Sequence, residues 1–467
     1  MCVDLDGTLL KSDLLYESAS ALLRKNPLYF FLFPVWLLKG KANLKHQIAK
    51  RVQLNPACLP YCETVLDYLK DQQSRGRKLV LATASNVKLV QPIADHLEIF
   101  SEVLASDTEV NLAGHRKAAL LVDRFGREGF DYAGNSRVDL AIWSQCSEPV
   151  VVSSSQRLHA AVQNLKSNAT FLERRAPKLT HFFRAIRVHQ WVKNLLLFIP
   201  LITAHQWLDM QRVLETVWGF FSFCLCSSSV YLLNDLLDLE SDRQHHQKRK
   251  RPFASGDLSL LGGAVLIPLM LALSLLMALR TNLYFVGGLL GYWIVTMTYS
   301  FVLKRLVLLD VITLALLYTL RILAGGFAAN VRVSEWLLAF SMFIFFSLAC
   351  IKRYSELLNL RRANKVTAQG RGYVADDLEL IAQFGAASGY ISILVMALYV
   401  SSAEITRLYS HPAVLWMICP VLLYWLSRIW LLAHRGELDE DPIVFALSDK
   451  ASYISGLVSL AFVLLAL

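Results

Sequence analysis

NDLLDLESDRQHHQKRKRPFASG, residues 234–256, joins a column of acidic side chains to a cluster of basic ones. Asn234, Asp238 and Asp242 follow one another at intervals of four, so a helix of about 3.6 residues per turn would place them on one face. Such oxygen ligands suit Mg²⁺, which binds carboxylates together with phosphate oxygens. The basic residues that follow, and that could hold a diphosphate, are His245, Lys248 and Arg251. The segment predicts a magnesium–diphosphate site, and the alternative is a solvated helix end with a basic anchor.

The composition places this segment in a membrane protein. Of 467 residues, 55% are hydrophobic and 18% are charged, whereas soluble proteins average about 25% charged residues. After about residue 190, apolar runs of the roughly 20 residues needed to cross a bilayer alternate with short polar loops. Because lipid tolerates no open backbone, these runs predict nine transmembrane helices, at 192–208, 213–236, 258–279, 283–303, 307–329, 335–357, 380–403, 412–433 and 449–467. A purely soluble enzyme, a disordered chain and a coiled coil are excluded.

The basic residues of the loops predict the orientation of the chain. Three of the four alternate loops hold several basic residues, as at Lys248–Arg251 and Lys304–Arg305, and the fourth holds Arg435, whereas the intervening loops hold one each. This asymmetry follows the positive-inside rule and predicts an inner-membrane protein with a cytoplasmic N-terminal domain and an outer C-terminus. Because the loops account for the net charge of +10, nucleic-acid binding is not expected.

The 234–256 segment resembles the signature of the UbiA superfamily of membrane-embedded transferases, NDxxDxxxDxxHPxKxxRPxASG, with His246 where the family usually has proline. The resemblance implies an all-α bundle of nine transmembrane helices around a cavity open to the cytoplasm, over residues 181–467. It also implies Mg²⁺ and a diphosphate-bearing substrate. By the same match, Asp235 and Asp238 are catalytic, Asp235, Asp238 and Asp242 hold the metal, and Asn234, Lys248 and Arg251 bind substrate.

The end of the sixth predicted span departs from the usual superfamily pattern. Typical members carry a second aspartate-rich motif there, whereas this chain has Lys352-Arg353-Tyr354-Ser355-Glu356. Two cations can hold an anionic group without a bridging metal, although such a pair can also be a snorkelling helix end. The pattern resembles the branch that transfers phosphoribose from phosphoribosyl pyrophosphate to a polyprenyl phosphate and releases pyrophosphate. Lys352 and Arg353 are then implied contacts of the lipid phosphate.

Further segments resemble the same branch over about 180–467. They are RVHQWVKN at 187–194, YSFVLK at 299–304 and the pair Asp310 and Arg321, and the substrate-binding residues that they imply are Lys193, Asn194, Tyr299, Lys304 and Arg321. Arg321 lies in the middle of a predicted span, where an unpaired cation is costly, so it should face a polar cavity or a partner. Asp310 lies about three turns earlier on the same face. Lys193 can equally be an ordinary interfacial anchor.

Two other functions stay open from the sequence. An ordinary prenyltransferase would move a prenyl chain from its diphosphate to an aromatic acceptor, but the missing second aspartate cluster argues against it. A lipid-binding or scaffold protein would not need the intact acidic and basic pattern of residues 234–256.

The first 150 residues read as a soluble α/β domain. The start, MCVDLDGT, is a short apolar strand followed by Asp4 and Asp6, and side chains two residues apart on a strand end point the same way. Apolar strands recur near 78–83 and 130–134 and alternate with helices, which predicts a doubly wound parallel sheet with its site at the strand ends. One carboxylate can attack a phosphoryl group while the other transfers a proton, with Mg²⁺ between carboxylate and phosphate.

This pattern resembles the haloacid dehalogenase superfamily, which has DxDGT, then Thr or Ser, then Lys, then GDxxxD. The resemblance implies a phosphatase domain at 1–150 with a helical cap at about 12–60, followed by a linker at 151–180. The implied nucleophile is Asp4, the acid and base is Asp6, the phosphate ligands are Thr83 and Lys117, and the metal ligands are Asp4, Asp6, Asn135 and Asp139. The family usually has aspartate at position 135, and an inactive scaffold is the alternative.

A phosphatase fused to a phosphoribosyl transferase would have a substrate at hand, because the transferred ribose keeps its 5-phosphate. The cap region also holds the run Phe30-Phe31-Leu32-Phe33, which is apolar enough to approach the membrane.

Overall fold

The computed structural model describes residues 1–107, 110–174, 176–364, 372–402, 405–438, 442–446 and 448–467. These residues form two compact units. The first is Met1–Arg187 with Tyr231–Pro268, and the second is Val188–Val230 with Leu269–Leu467. The 234–256 segment thus belongs to the same unit as the predicted soluble domain.

Six parallel strands form the centre of the first unit, which confirms the predicted parallel α/β sheet. The strands are Cys2–Val3 (β1), Val80–Asn86 (β2), Glu102–Ser106 (β3), Tyr132–Gly134 (β4), Pro149–Val152 (β5) and Thr170–Leu172 (β6), in the order β3-β2-β1-β4-β5-β6. β1 has two residues but pairs on both sides, with β2 and β4. Both of its residues are buried, as expected of a strand that is covered by helices on both faces.

Helices connect these strands. They are Leu14–Lys25 (α1), Phe33–Leu38 (α2), Lys41–Ala49 (α3), Glu63–Ser74 (α4), Val87–Leu97 (α5), His115–Phe125 (α6), Leu140–Trp143 (α7), Gln156–Leu165 (α8) and Leu179–Ala185 (α9). α1, α2 and α3 lie between β1 and β2, in the region where the sequence predicted a cap. β5 and β6 carry the sheet to residue 172, so the sheet extends into the stretch that the sequence assigned to a linker at 151–180.

From residue 188 onward the described chain is almost entirely helical. Its α-helices are Ile199–Thr203 (α10), Met210–Leu237 (α11), Leu239–Gln244 (α12), Leu260–Ala278 (α13), Leu283–Phe301 (α14), Leu309–Ala329 (α15), Glu335–Arg362 (α16), Leu378–Val400 (α17), Ile405–Leu408 (α18), Ile418–Arg435 (α19), Pro442–Ala446 (α20) and Lys450–Ala466 (α21). A 3-10 segment, Val188–Phe198, precedes α10.

Six helices among the described residues are long and apolar enough to cross a membrane, so the predicted count of nine is wrong. They are Met210–Leu237, Leu260–Ala278, Leu309–Ala329, Glu335–Arg362, Ala375–Val400 and Pro412–Arg435. The first predicted span is instead the 3-10 segment followed by the short α10, which has Pro200 in its first turn. Glycine, tyrosine and threonine residues lower the mean hydropathy of α14. α21 has 17 residues, fewer than the roughly 20 that a spanning helix needs.

Glycines let backbones of the second unit approach closely. A Cβ on Gly325 of α15 would lie 2.1 Å from the Leu197 carbonyl oxygen, and one on Gly389 of α17 would lie 2.3 Å from the Leu426 side chain. Both distances are far inside van der Waals contact, so a larger residue would separate the helices. The contact at Gly325 fixes α15 against Val188–Phe198, the segment that carries two of the predicted site residues.

Candidate functional site

Asp4 lies at the end of β1 and is paired with a buried lysine. Its Oδ1 accepts a hydrogen bond of 2.7 Å from Lys117 Nζ, which also donates to the Tyr132 hydroxyl at 2.9 Å. Burial raises the pKa of Asp4 to about 7, and the Lys117 ammonium opposes that rise. A carboxylate and a cation therefore stand together at the carboxyl end of the sheet, where a phosphoryl group can be both attacked and held.

Asp6 is held by hydroxyl and backbone donors. Its Oδ2 accepts hydrogen bonds from Ser85 Oγ at 2.7 Å and Thr83 Oγ1 at 3.4 Å. Its Oδ1 accepts one from the Leu14 N–H at 2.7 Å. Burial raises the pKa of Asp6 as well. The different partners of Asp4 and Asp6 favour different roles for two carboxyls of one sequence motif.

Asp139 and Asn135 complete this cluster. Asp139 Oδ2 accepts hydrogen bonds from the backbone N–H groups of Asn135 and Ser136 at 3.1 and 2.9 Å, and its Oδ1 accepts one from the Tyr132 hydroxyl at 3.1 Å. The Asn135 side chain packs over the loop after β1, because a Cβ on Gly7, whose φ is +74°, would lie 2.1 Å from Asn135 Nδ2. The structure thus brings the predicted polar residues of this domain together at one edge of the sheet.

The oxygen ligands of this cluster are of the type that Mg²⁺ prefers, since they are carboxylates and an amide. In the part of the chain that the structure describes, however, no three His, Cys, Asp or Glu side chains are grouped as a metal site. Lys117 Nζ already contacts one carboxylate oxygen of Asp4, Oδ1. The donor chemistry fits a hard cation, and the metal role of Asp4, Asp6, Asn135 and Asp139 stays a prediction.

The acidic column of residues 234–256 is interrupted at its middle member. α11 ends at Leu237 and α12 begins at Leu239, and Asp238 between them has φ −99° and ψ 15°. The turn spacing survives the break, because the Asp238 N–H donates to the Asn234 carbonyl at 2.9 Å and the Asp242 N–H donates to the Asp238 carbonyl at 2.8 Å. The column is therefore bent rather than part of one straight helix.

One arginine bridges the two buried carboxylates of this segment. Arg251 Nη1 lies 3.1 Å from Asp235 Oδ1 and 2.6 Å from Asp242 Oδ2, and Arg187 also pairs with Asp235. The Arg251 side chain keeps 28% of its exposure, whereas those of Asp235 and Asp242 keep 2% and 4%. Two carboxylates that share one positive nitrogen lie within reach of a single cation, so they fit a hard metal ion such as Mg²⁺.

The other predicted residues of the segment are more exposed. Asp238 Oδ1 lies 3.9 Å from Arg24 Nε, with both side chains more than a quarter exposed. Asn234 is partly buried, and Lys248 is exposed in the 3-10 turn Lys248–Lys250. Exposed cations beside buried carboxylates are suited to a polyanion that arrives from solvent.

Helix α1 contacts both polar sites of the first unit. Glu17 accepts hydrogen bonds from Arg243 Nη2 at 2.6 Å and Nη1 at 3.0 Å, and Arg243 Nε donates to the Ala254 carbonyl at 2.8 Å. The Arg243 and Glu17 side chains are 9% and 3% exposed. Since Leu14 at the start of α1 donates to Asp6, a single helix connects the sheet-edge cluster to the acidic segment.

A buried polar cluster surrounds Arg321 in the second unit. Arg321 Nε donates to Asn194 Oδ1 at 3.0 Å and Nη2 donates to the Tyr292 hydroxyl at 2.8 Å. The guanidinium also lies 4.8 Å and 5.2 Å from the ring centroids of Tyr292 and Tyr318, and Lys193 Nζ lies 5.8 Å from that of Tyr318. This mid-helix cation is therefore surrounded by partners, which is what its cost in an apolar span requires.

A second buried network joins α15 to α16. Arg353 Nη2 lies 2.6 Å from Asp310 Oδ2, the Tyr299 hydroxyl donates to Asp310 Oδ1 at 2.8 Å, and Arg353 also pairs with Glu356. The side chains of Arg353 and Asp310 are 1% and 0% exposed. Arg353, which the sequence assigned to the lipid phosphate, is thus enclosed by carboxylates. Lys304 and Lys352, which were also predicted to bind substrate, are partly exposed.

Residues 195–452, more than half of the chain, match the model of the UbiA prenyltransferase family. The chain belongs to the UbiA prenyltransferase family. Together with its apolar helices, membership of this UbiA family makes the chain an integral membrane protein of transferase type. The match begins after the parallel sheet ends, so the UbiA family accounts for the helical part and leaves the identity of the sheet domain open.

Relatives of this UbiA-family chain differ in how much of it they cover. The uncharacterized protein y4nM of Sinorhizobium fredii is 38% identical over 99% of this chain and 90% of its own length. The decaprenyl-phosphate phosphoribosyltransferase of Corynebacterium glutamicum is 35% identical over 42% of this chain and 61% of its own length. The structure of a UbiA homolog from Archaeoglobus fulgidus, bound to DMAPP and Mg²⁺, is 19% identical, covers 60% of this chain and 96% of that chain, and has a TM-score of 0.47.

The sequence did not identify several residues of this UbiA-family protein that hold the predicted site residues, or the segments around them, through hydrogen bonds or ion pairs. They are Glu17, Ser85, Tyr132, Arg187, Arg243 and Tyr292. Ser85 could have been found, because it lies two residues after Thr83 on β2 and so points to the same side. Glu17 and Arg243 are 226 positions apart, and no local pattern signals their contact.

Proposed function

We propose that this UbiA-family protein transfers phosphoribose from phosphoribosyl pyrophosphate to a polyprenyl phosphate. The observation that carries the proposal is the pair of buried carboxylates, Asp235 and Asp242, bridged by the partly exposed Arg251. The similarity to the Corynebacterium glutamicum decaprenyl-phosphate phosphoribosyltransferase supports it over 42% of the chain. A basic motif replaces the second aspartate motif, and its partly exposed Lys352 favours a phosphate acceptor over an aromatic one.

The acidic segment is assigned to phosphoribosyl pyrophosphate. Asp235, Asp238 and Asp242 would hold Mg²⁺, which when bound supplies positive charge against the departing pyrophosphate. Arg251 has exposed surface and donates through several N–H groups, so it can exchange its carboxylate contacts for phosphate oxygens. Asn234 and Lys248 would complete the contacts of the diphosphate.

The polyprenyl phosphate is assigned to the partly exposed Lys352, Lys304 and Tyr299. The buried Lys193, Asn194 and Arg321 are assigned to a polar cluster that would position the substrate. Arg353 is fully buried between Asp310 and Glu356, so we assign it to the positioning of α16 rather than to direct contact with the phosphate. A phosphate oxygen of the lipid attacks the anomeric carbon of ribose, and the bond from that carbon to pyrophosphate breaks. Because the attacking phosphate is already ionised at neutral pH, no general base is needed.

The test supplies the purified protein with labelled phosphoribosyl pyrophosphate, a polyprenyl phosphate and Mg²⁺, and measures labelled lipid. Asp235→Ala should abolish the product, whereas Glu240→Ala, at an exposed position of the same segment, should retain it. Product from a prenyl diphosphate and an aromatic acceptor instead would establish ordinary prenyl transfer. The absence of both products would favour a lipid-binding or scaffold role.

A second activity, removal of the phosphate left on the transferred ribose, is favoured by the cluster around Asp4. Asp4 would attack the phosphorus to form an aspartyl phosphate while Asp6 protonates the leaving alcohol, and a water activated by Asp6 would release phosphate. Lys117 and Thr83 would bind the phosphoryl oxygens. Mg²⁺ bound by the carboxylates and Asn135 would neutralise phosphate charge.

Phosphate release from the lipid-linked phosphoribose tests this activity. Asp4→Asn should stop release without reducing transfer, whereas Asp67→Asn, on the exposed face of α4, should change neither. Equal phosphate release by the Asp4→Asn variant and the unchanged protein would show that the sheet domain is an inactive scaffold.

We also propose that the sheet domain lies on the cytoplasmic side of the inner membrane. The basic residues Lys248–Arg251 belong to the same unit as the sheet, and basic segments favour that side. Limited proteolysis of inside-out and right-side-out vesicles tests this placement. The sheet domain should be cleaved only in inside-out vesicles, and cleavage in right-side-out vesicles would reverse the orientation.

A further inference from the structure

The segment Pro27–Leu38, made of a 3-10 turn and the short helix α2, exposes a continuous set of large apolar side chains. Leu38 is 89% exposed, Phe31 72%, Leu28 67% and Phe30 60%, and the others are Leu32, Val35 and Leu37. Single exposed apolar side chains are ordinary, but a contiguous group of this size marks an interaction surface.

The opposite side of the same segment is firmly packed. Trp36 is 9% exposed and joins Leu22, Ile48 and Val52 in a small core, with Tyr29 and Phe33 against it. The Arg51 guanidinium lies 4.8 Å from the Trp36 ring centroid. The packed side fixes the segment on the first unit, and the apolar side chains of its other side point away from that unit.

The charges around the segment identify the class of partner. Arg24 and Lys25 precede it, and Lys39 and Lys41 follow it. From residue 18 to residue 62 the chain has no aspartate or glutamate. Arg24 is paired with Asp238, but Lys25, Lys39 and Lys41 are exposed and border the apolar face without an acidic residue in the same stretch of chain. Such a face matches the headgroup region of an anionic bilayer, which attracts basic side chains close to an apolar surface.

The length of the segment decides how it meets the membrane. Its 12 residues are too few to span the hydrocarbon core, which takes roughly 20. Apolar segments of this kind lie in the interface, buried about 5–10 Å at the boundary of headgroups and acyl chains. We infer that Pro27–Leu38 is a membrane-surface anchor of the sheet domain, with Phe31 and Leu38 in the acyl boundary and Lys39 and Lys41 at anionic headgroups.

Spin labelling of the full chain in nanodiscs of phosphatidylcholine and phosphatidylglycerol tests this anchor. The partly exposed Cys58 and Cys419 are first replaced by serine, and a nitroxide is attached through Leu38→Cys or Phe31→Cys. The matched control is Val138→Cys, at another exposed apolar position (61%) of the same unit. The labels at 31 and 38 should be accessible to oxygen and shielded from a water-soluble nickel complex, and the label at 138 should show the reverse.

Nickel access at 31 and 38 equal to that at 138 would overturn the inference. Shielding that comes with spin–spin broadening between labels at 38, in discs with two chains, would instead assign the surface to a second copy. The paired variant Lys39→Glu and Lys41→Glu gives an independent measurement, because it should reduce shielding in phosphatidylglycerol discs and change it little in pure phosphatidylcholine. The test reads position and not activity, so it stands apart from the proposed transfer reaction.

Discussion

Two arginine–carboxylate networks in this protein use the same chemistry in opposite surroundings. In the first unit, Arg251 bridges Asp235 and Asp242 and keeps 28% of its side-chain exposure. In the second unit, Arg353 joins Asp310 and Glu356 and keeps 1%. Residue type alone therefore does not separate a binding site from a structural ion pair, because of these two arginines only the exposed Arg251 can exchange its protein partners for a ligand.

The energetic reason lies in desolvation. A buried charge without its partner costs several kcal/mol, so a buried ion pair is hard to break. A partly exposed pair is solvated when its partner leaves and therefore contributes about 0–1 kcal/mol. A network that must open for a substrate should therefore be partly exposed, and a network that fixes helix packing should be buried.

The largest effect is expected from Asp310→Ala, which leaves Arg353 buried with one partner fewer. Breaking a buried pair costs about 3–5 kcal/mol, which thermal unfolding of the purified protein in nanodiscs would report. The control is Asp71→Ala, which breaks an exposed pair with Arg75 and should cost less than about 1 kcal/mol. Equal unfolding temperatures for the two variants would contradict the structural role of the α15–α16 network.

Arg251→Gln should separate binding from stability. The loss of a charge-assisted contact of about 1.5–3 kcal/mol should weaken the proposed binding of phosphoribosyl pyrophosphate by roughly tenfold or more. The unfolding temperature should fall less than in Arg353→Gln, because the Arg251 side chain is 28% exposed and that of Arg353 is 1% exposed. Arg353→Gln should mainly lower the unfolding temperature and should affect binding less. If Arg251→Gln unfolds the protein as readily as Arg353→Gln, the contrast between the two networks fails.

Glu17→Gln tests an ion pair that shares one feature with each of the two networks. Glu17 and Arg243 are buried, like Arg353, but they lie in the first unit beside the acidic segment, like Arg251. Removing the charge should cost about 2 kcal/mol, and should loosen Arg243 and the backbone at Ala254. Hydrogen exchange of residues 243–256 measures this, and it should rise in Glu17→Gln and be largely restored in Glu17→Asp. Unchanged exchange in Glu17→Gln would mean that α1 does not hold the segment.

The same contrast explains what the sequence could predict. The parallel sheet, the helical membrane part and the acidic segment follow from short motifs and apolar runs, whose spacing is local. The count of nine spans failed where Pro200 divides an apolar run and where α21 is too short. The burial of Arg353 could not be predicted, because it depends on Asp310, 43 positions earlier, and on helix packing that no local pattern encodes.

The smallest effect is expected from Arg24→Gln, which removes an exposed contact between α1 and the acidic segment. Arg24 Nε lies 3.9 Å from Asp238 Oδ1, and the two side chains are 37% and 27% exposed, so water can replace the interaction. The change should cost less than about 1 kcal/mol and should alter the binding of phosphoribosyl pyrophosphate less than about fivefold. Titration calorimetry of Arg24→Gln beside Glu17→Gln measures the difference. A larger loss in Arg24→Gln would show that exposure is a poor guide to which arginines of this segment serve binding, and that Arg24 belongs with Arg251 among the residues that contact the diphosphate.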